Sequence, residues 1–178
     1  MSRRRAMMAV LTPPVVQRPL KLTVRMVAGE VFQLMTRPGY NYVGTVDWGD
    51  GNPVESFTAF DNALWAHTYA TAGDHQITIT GVFDGVYFND SAAGQKIISI
   101  DQWGDVGAAM TTIEYAFQGC VNLVSIAADV PLDQLTSGLY AFAGCSSLVS
   151  LPEGITFNGL LNSSQMFRRC SNLTTLPE

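Results

Sequence analysis

Two hydrophobic periods organise the chain. Between residues 20 and 83 apolar and polar positions alternate, as in a half-buried strand. Leu20-Lys21-Leu22-Thr23-Val24-Arg25-Met26-Val27 has this period, as do Tyr42-Val43-Gly44-Thr45-Val46-Asp47-Trp48 and His75-Gln76-Ile77-Thr78-Ile79-Thr80. Gly49-Asp50-Gly51-Asn52-Pro53 ends the second run with strong turn chemistry. Val82-Phe83 and Val86-Tyr87-Phe88 predict one more edge. Several short strands with glycine turns predict an antiparallel sandwich.

Farther along, the period changes. Cys120, Cys145 and Cys170 are spaced by 25 residues, and their surroundings recur with them. Tyr115-Ala116-Phe117-Gln118-Gly119-Cys120 returns as Tyr140-Ala141-Phe142-Ala143-Gly144-Cys145 and as Gln165-Met166-Phe167-Arg168-Arg169-Cys170. Leu123, Leu148 and Leu173 follow three residues after each cysteine, then Ile126, Leu151 and Leu176. A partial first copy, Ile97-Ile98-Ser99-Ile100, lacks the Phe-x-x-Cys element and reads as a cap. One such unit cannot bury its own apolar side, but stacked units bury a shared core, with equivalent residues about 4.8 Å apart. The predicted inward ladders are Phe117/Phe142/Phe167, Cys120/Cys145/Cys170, Leu123/Leu148/Leu173 and Ile100/Ile126/Leu151/Leu176. The Ala-Phe-x-x-Cys segment predicts one or two helical turns. The Ser-Ile and Ser-Leu pairs predict very short strands, ended by Pro131, Pro152 and Pro177.

Both halves carry a family resemblance. The pattern Ala-Phe-x-x-Cys-x-x-Leu-x-x-Leu-Pro over residues 97–178 resembles the bacterial surface-antigen type of leucine-rich repeat. That likeness implies a short solenoid used for adhesion, display or protein recognition. Val46-Asp47-Trp48-Gly49-Asp50-Gly51, followed by His67-Thr68-Tyr69-Ala70-Thr71-Ala72-Gly73, resembles the polycystic-kidney-disease (PKD) type of immunoglobulin-like domain, over about residues 18–90. That likeness implies a non-catalytic extracellular or virion module. Trp48 then fills the core, Tyr69 bonds nearby backbone as a tyrosine corner, and His67 hydrogen-bonds a turn. The expected fold is mainly β: an immunoglobulin-like β-sandwich, then a leucine-rich-repeat solenoid with small helical turns. Its parts are a basic flexible arm (1–17), the sandwich (18–92) and the solenoid (93–178), the last of its three copies incomplete.

Composition fits this picture. Hydrophobic residues make up 47% and charged residues 14%, so a packed core is expected. Arg3, Arg4, Arg5, Arg18, Lys21 and Arg25 put six of the ten basic residues in the first 25 positions, where there is no acid. The remainder carries four basic and fifteen acidic residues, a poor general surface for nucleic acid. No run approaches the ~18–20 apolar residues of a membrane span. Ala6-Met7-Met8-Ala9-Val10-Leu11 is too short for a secretory signal before Pro13-Pro14.

Candidate chemistry is sparse. The three cysteines read as small buried hydrophobes. Asp47 and Asp50 are a bare carboxylate pair, weak as a calcium site, so no metal or cofactor is expected. No nucleophile elbow, phosphate loop or paired zinc motif is present. Asp101, Asp105 and Glu114 near Trp103 imitate a glycosidase set, but Asp101-Gln102-Trp103-Gly104-Asp105 reads better as a junction loop. The expected ligand surface is a hydroxyl ladder of Ser99, Ser125, Ser150 and Thr175, with Trp103 beside it. Its expected ligand is a protein or glycan on a surface. The layer of Phe167, Cys170 and Leu173 is expected to lie open and to meet a partner chain or a copy of itself. Without an export signal but with extracellular-type modules, the expected place is a virion surface; the alternative is a secreted or lipoprotein-type bacterial surface protein. A carbohydrate-active enzyme is the remaining rival.

Overall fold

Alternation along residues 20–26 becomes a strand that buries Leu20, Leu22, Val24 and Met26 on one side and turns Lys21, Thr23 and Arg25 to the other. The computed structural model describes residues 17–59, 65–105, 111–129, 134–155 and 157–176. The basic arm except Gln17, Pro131 and Pro177 lie outside these. The strands are β1 (Leu20–Met26), β2 (Val31–Gln33), β3 (Tyr42–Asp47), β4 (Glu55–Phe57), β5 (Ala66–Thr68), β6 (Gly73–Phe83), β7 (Ile97–Gln102) and β8 (Ser125–Ile126). A 3-10 turn, Gly94–Lys96, precedes β7. The protein is mainly β, and no α-helix occurs among the described residues. No helix among them is long and apolar enough to cross a membrane.

Six strands form one sheet in the order β4-β3-β6-β1-β7-β8, and β2 pairs with β5 in a second. All pairings are antiparallel except β7 with β8, which is parallel. The run expected over residues 75–80 extends to Phe83, so Val82 and Phe83 belong to β6. It passes β3 where Gly44 faces Gly81, and there the two backbones approach too closely for a side chain on either strand. Val86-Tyr87-Phe88, expected as an edge, is loop. Aromatic rings fill the space between the two sheets. Trp65 meets Tyr42 (5.8 Å between ring centroids), Phe57 (4.7 Å) and Phe83 (5.7 Å).

The junction is a shared sheet. Asp101 and Gln102, expected in a connecting loop, are the end of β7. β7 pairs on one side with β1 and on the other with β8, so it belongs to both halves. Arg18 holds Asp105 at 3.0 Å, and Asp129 accepts the N–H groups of Trp103 (2.9 Å) and Gly104 (3.0 Å). The buried apolar residues form one cluster from Leu20 to Cys170.

Past β7 the chain winds in stacked coils with a 25-residue offset. Phe117 donates its N–H to Ala141 (2.8 Å) and Phe142 to Met166 (3.0 Å); Gly119 donates to Ala143 (2.8 Å) and Gly144 to Arg168 (2.7 Å). Phe88, Phe117, Phe142 and Phe167 stack with ring centroids 5.9, 5.6 and 5.7 Å apart. Phe88, with no repeat motif around it, is thus the first rung. Each thiol sits beneath the preceding coil: Cys145 Sγ lies 3.3 Å from the Phe117 carbonyl and Cys170 Sγ 3.1 Å from that of Phe142. Burial pushes the Cys120, Cys145 and Cys170 thiols up, so they act as apolar filler with weak donors.

Two expectations need correction. The Ala-Phe-x-x-Cys segments form hydrogen-bonded turns instead of helical ones. Bonds such as Cys120 N–H to Phe117 O (3.1 Å) close single turns, but Tyr115, Tyr140 and Gln165 are left-handed (φ 57, 53 and 58), which ends helix propagation. Along the inward ladders Phe117, Cys120, Leu123, Ile126, Phe142, Cys145, Leu148, Leu151 and Cys170 are buried. Phe167 and Leu173 are only half-buried, and Leu176 is 59% exposed. These three lie in the last described coil, with no further described layer against them.

Candidate functional site

The expected hydroxyl ladder sits on the outer face of the main sheet. Thr23 of β1 pairs with Gln76 of β6 and with Ser99 of β7, and Ser99 pairs with Ser125 of β8. Ser150 and Thr175 form a parallel bridge two coils on. Ser125, Ser150 and Thr175 are exposed, whereas Ser99 is half-buried and already engaged. Its hydroxyl donates to Asp101 (2.6 Å), which also accepts from Thr23 (2.5 Å) and Gln76 (2.9 Å). Ser99 is the strand partner of Thr23, and Asp101 lies two residues on in β7, so all three share one face of the sheet. Asp101 therefore ties three strands together.

Trp103 is not on this surface. It is 2% exposed and lies edge-on to Phe117, with centroids 5.6 Å apart. Against the edge of an inner rung of the ring stack the indole gains more from burial than it would from water. The other carboxylates of the glycosidase-like set are also engaged. Asp105 is held by Arg18, and Glu114 lies 3.5 Å from Arg37 and accepts from the Ser137 hydroxyl (2.7 Å).

The turn after β3 accounts for the remaining motif residues. Trp48 is buried, and the Tyr69 hydroxyl donates to its carbonyl (2.9 Å). His67 stacks on the Trp48 indole (5.0 Å, 9°), and its Nε2 lies 2.7 Å from Asp50 Oδ2. Asp47 accepts from the Gly49 N–H (2.9 Å) and Asp50 from the Asn52 N–H (3.1 Å). Both carboxylates are thus turn-formers, and among the described residues no three His, Cys, Asp or Glu side chains converge as a metal site would need. Burial alone would raise the Asp50 carboxyl, but hydrogen bonds from His67 and Asn52 outweigh it and hold it below its ordinary range. A depressed carboxyl stabilises the fold above its unfolded value of about 4 and loses that contribution as pH falls through the lower folded value. Asp50→Asn is expected to be less stable than the native chain at neutral pH, the gap closing below about pH 4. Urea unfolding across that range measures it.

A second surface joins the two halves. The Arg37 guanidinium lies over Tyr40 (5.5 Å) and Tyr87 (5.3 Å). Tyr87 meets Tyr115 edge-on (6.3 Å), and Tyr115 stacks on Tyr140 (5.5 Å, 7°). Asn89 donates to the Tyr87 hydroxyl (3.0 Å). All four tyrosines are half-buried, so each keeps part of its surface in solvent. Tyr115 and Tyr140 hold left-handed backbone, which costs a bulky residue on the order of 1–3 kcal/mol each. Sequence reasoning passed over Arg37, Tyr40 and Tyr87 as a surface. The recurrence of Tyr115 at Tyr140 was the only available signal.

No family model, curated protein or solved structure matches this chain.

Proposed function

We propose that this protein is a non-catalytic binding module displayed on a surface. In this reading the first half is a PKD-like immunoglobulin-type sandwich, and the coils are a short solenoid of surface-antigen-type leucine-rich repeats. The observation that carries it is the stripe of Tyr40, Tyr87, Tyr115 and Tyr140 around Arg37. Tyrosine and arginine are the residues that protein interfaces concentrate, because they bring large contact area and polar tips at low entropic cost. Here the rings are braced by one another and by Arg37, which Glu114 holds, so little ordering remains to be lost on binding. The partner is a protein surface. The stripe crosses from one half to the other, which gives the shared sheet a purpose: it keeps Tyr87 and Tyr115 in register.

The carboxylates support the same reading. Asp101, Asp105 and Glu114 each spend their oxygens on neighbouring strands, loops or an arginine. The experiment is to incubate the purified protein with intact bacterial cells and measure both retained protein and released soluble sugar or peptide. Saturable retention, lost when the cells are first shaved with protease and unaccompanied by product, is expected. Product release that Asp101→Asn abolishes would replace this reading with a hydrolase.

A further inference from the structure

The seam between the halves holds a hollow of about 440 Å³ that shares no residue with the tyrosine stripe. Val27, Ile98 and Val124 give it an aliphatic lining, and Arg25, Lys96 and Asn122 add polar groups. These walls come from the end of β1, the 3-10 turn, β7 and the first coil, and each is braced. Asp74 accepts from Arg25 Nε (2.7 Å) and Nη2 (2.8 Å). Glu30 accepts from the Lys96 ammonium and, through its other oxygen, from the Val27 N–H (3.1 Å), so one carboxylate sets two walls. Asn122 donates to the Gln95 carbonyl (2.7 Å), and the Val124 N–H donates to Ile98 (2.9 Å).

The bracing carboxylates stay outside: neither Asp74 nor Glu30 lines the hollow, and no other acid does. The lining is therefore rich in donors. An arginine carries five N–H groups and a lysine three. Among the described residues Asp74 engages Nε and Nη2 of Arg25 but not Nη1, and Glu30 takes one bond from Lys96. The group that accepts several such bonds at once is a carboxylate, and charge makes them strong. A bare anion would fill little of the volume and leave Val27 and Val124, 64% and 50% exposed, in water. A sugar acid would find no aromatic ring to stack on, since none lines the hollow. We propose that the seam hollow binds a peptide segment of a partner protein in which a carboxylate stands beside an aliphatic side chain. Arg25 and Lys96 take the carboxylate, and Val27, Ile98 and Val124 take the aliphatic group. Because the walls are already braced, little ordering is lost on binding.

The carboxylate can be a chain end or an acidic side chain, and the probes separate the two. They are acetyl-Val-Glu-Val-amide, acetyl-Val-Gln-Val with a free C-terminus, and the neutral acetyl-Val-Gln-Val-amide. Each is titrated into the isotope-labelled full chain and followed by amide NMR. At least one acidic peptide is expected to give saturable shifts at Val27, Lys96, Ile98 and Val124, and the neutral one to bind about tenfold more weakly or worse. Arg25→Gln alters a side chain that is 67% exposed and loses a surface ion pair, so the fold survives. It is expected to weaken the acidic peptide about tenfold and leave the neutral one unchanged. Tyr115→Asn/Tyr140→Asn is expected to bind the acidic peptide as the native chain does. Four results overturn the proposal: no saturation by either acidic peptide, equal binding of the neutral one, indifference to Arg25→Gln, or tighter binding of glucuronate than of both acidic peptides, which would make a sugar acid the occupant.

Discussion

Phe117→Ala is expected to cost about 3–5 kcal/mol, among the largest losses available to a single side chain here. Phe117 is fully buried and touches a ring on three sides: Phe88, Phe142 and Trp103. No neighbour can collapse into the space it leaves. Phe88 and Phe142 are held apart by the backbone ladder, and the Trp103 backbone is pinned by Asp129. The cavity therefore persists, and its cost adds to the lost transfer energy. A domain of this size is stable by about 5–15 kcal/mol, so one substitution removes a large part of the margin. Chemical denaturation of the two proteins side by side gives the number. Because Phe117 packs between the halves, tryptophan fluorescence and circular dichroism are expected to report one shared transition. Phe167→Ala, at the half-buried end of the same stack, is expected to cost clearly less.

Gly81→Ala is the second large effect, and its cause is backbone instead of side chain. Gly81 has φ 116, and a Cβ there would lie 2.3 Å from the Val43 carbonyl oxygen and 2.7 Å from the Gly44 Cα. Both obstacles are main chain of β3, paired with β6 inside the sheet, so neither can swing aside. The expected result is a loss of about 3 kcal/mol or more, or failure to fold. Gly51→Ala is the matched control. Gly51 is also left-handed (φ 85), but a Cβ there meets nothing within 4 Å. It is expected to cost only the backbone penalty of about 1–2 kcal/mol. Thermal melts of both variants separate collision from conformation.

What could be read from the chain was whatever repeats or alternates. Period two placed β1, β3 and β6, and the 25-residue offset placed the stacked coils, because each pattern reports burial directly. Where local and global effects compete, the reading failed. Phe-x-x-Cys spacing looks helical, but Tyr115 and Tyr140 adopt left-handed backbone that spacing cannot reveal. Trp103, read as part of a junction loop and set beside the ligand ladder, is not on that surface. The coordinates bury it edge-on against Phe117, an inner rung of the phenylalanine stack. Leu176 has the spacing of a core residue, yet burial in a stack depends on the next layer. The tyrosine stripe was least visible of all. Arg37, Tyr40 and Tyr87 are far apart in sequence from Tyr115 and Tyr140, and no period links them. The hydroxyl ladder was half-legible: Ser125, Ser150 and Thr175 are exposed, but Ser99 is engaged by Asp101, two residues on in β7, which reads as loop in the sequence.

Recognition by a braced tyrosine surface is tested most directly by comparing the native protein with Tyr115→Asn/Tyr140→Asn in a titration on intact bacterial cells. Asparagine tolerates left-handed backbone, so the coils keep their conformation and only the rings are lost. The expected result is a melting temperature close to native and cell binding reduced about tenfold or more, the usual consequence of removing interface tyrosines. Undiminished binding by the folded double variant would contradict the account and leave the tyrosines a purely structural role.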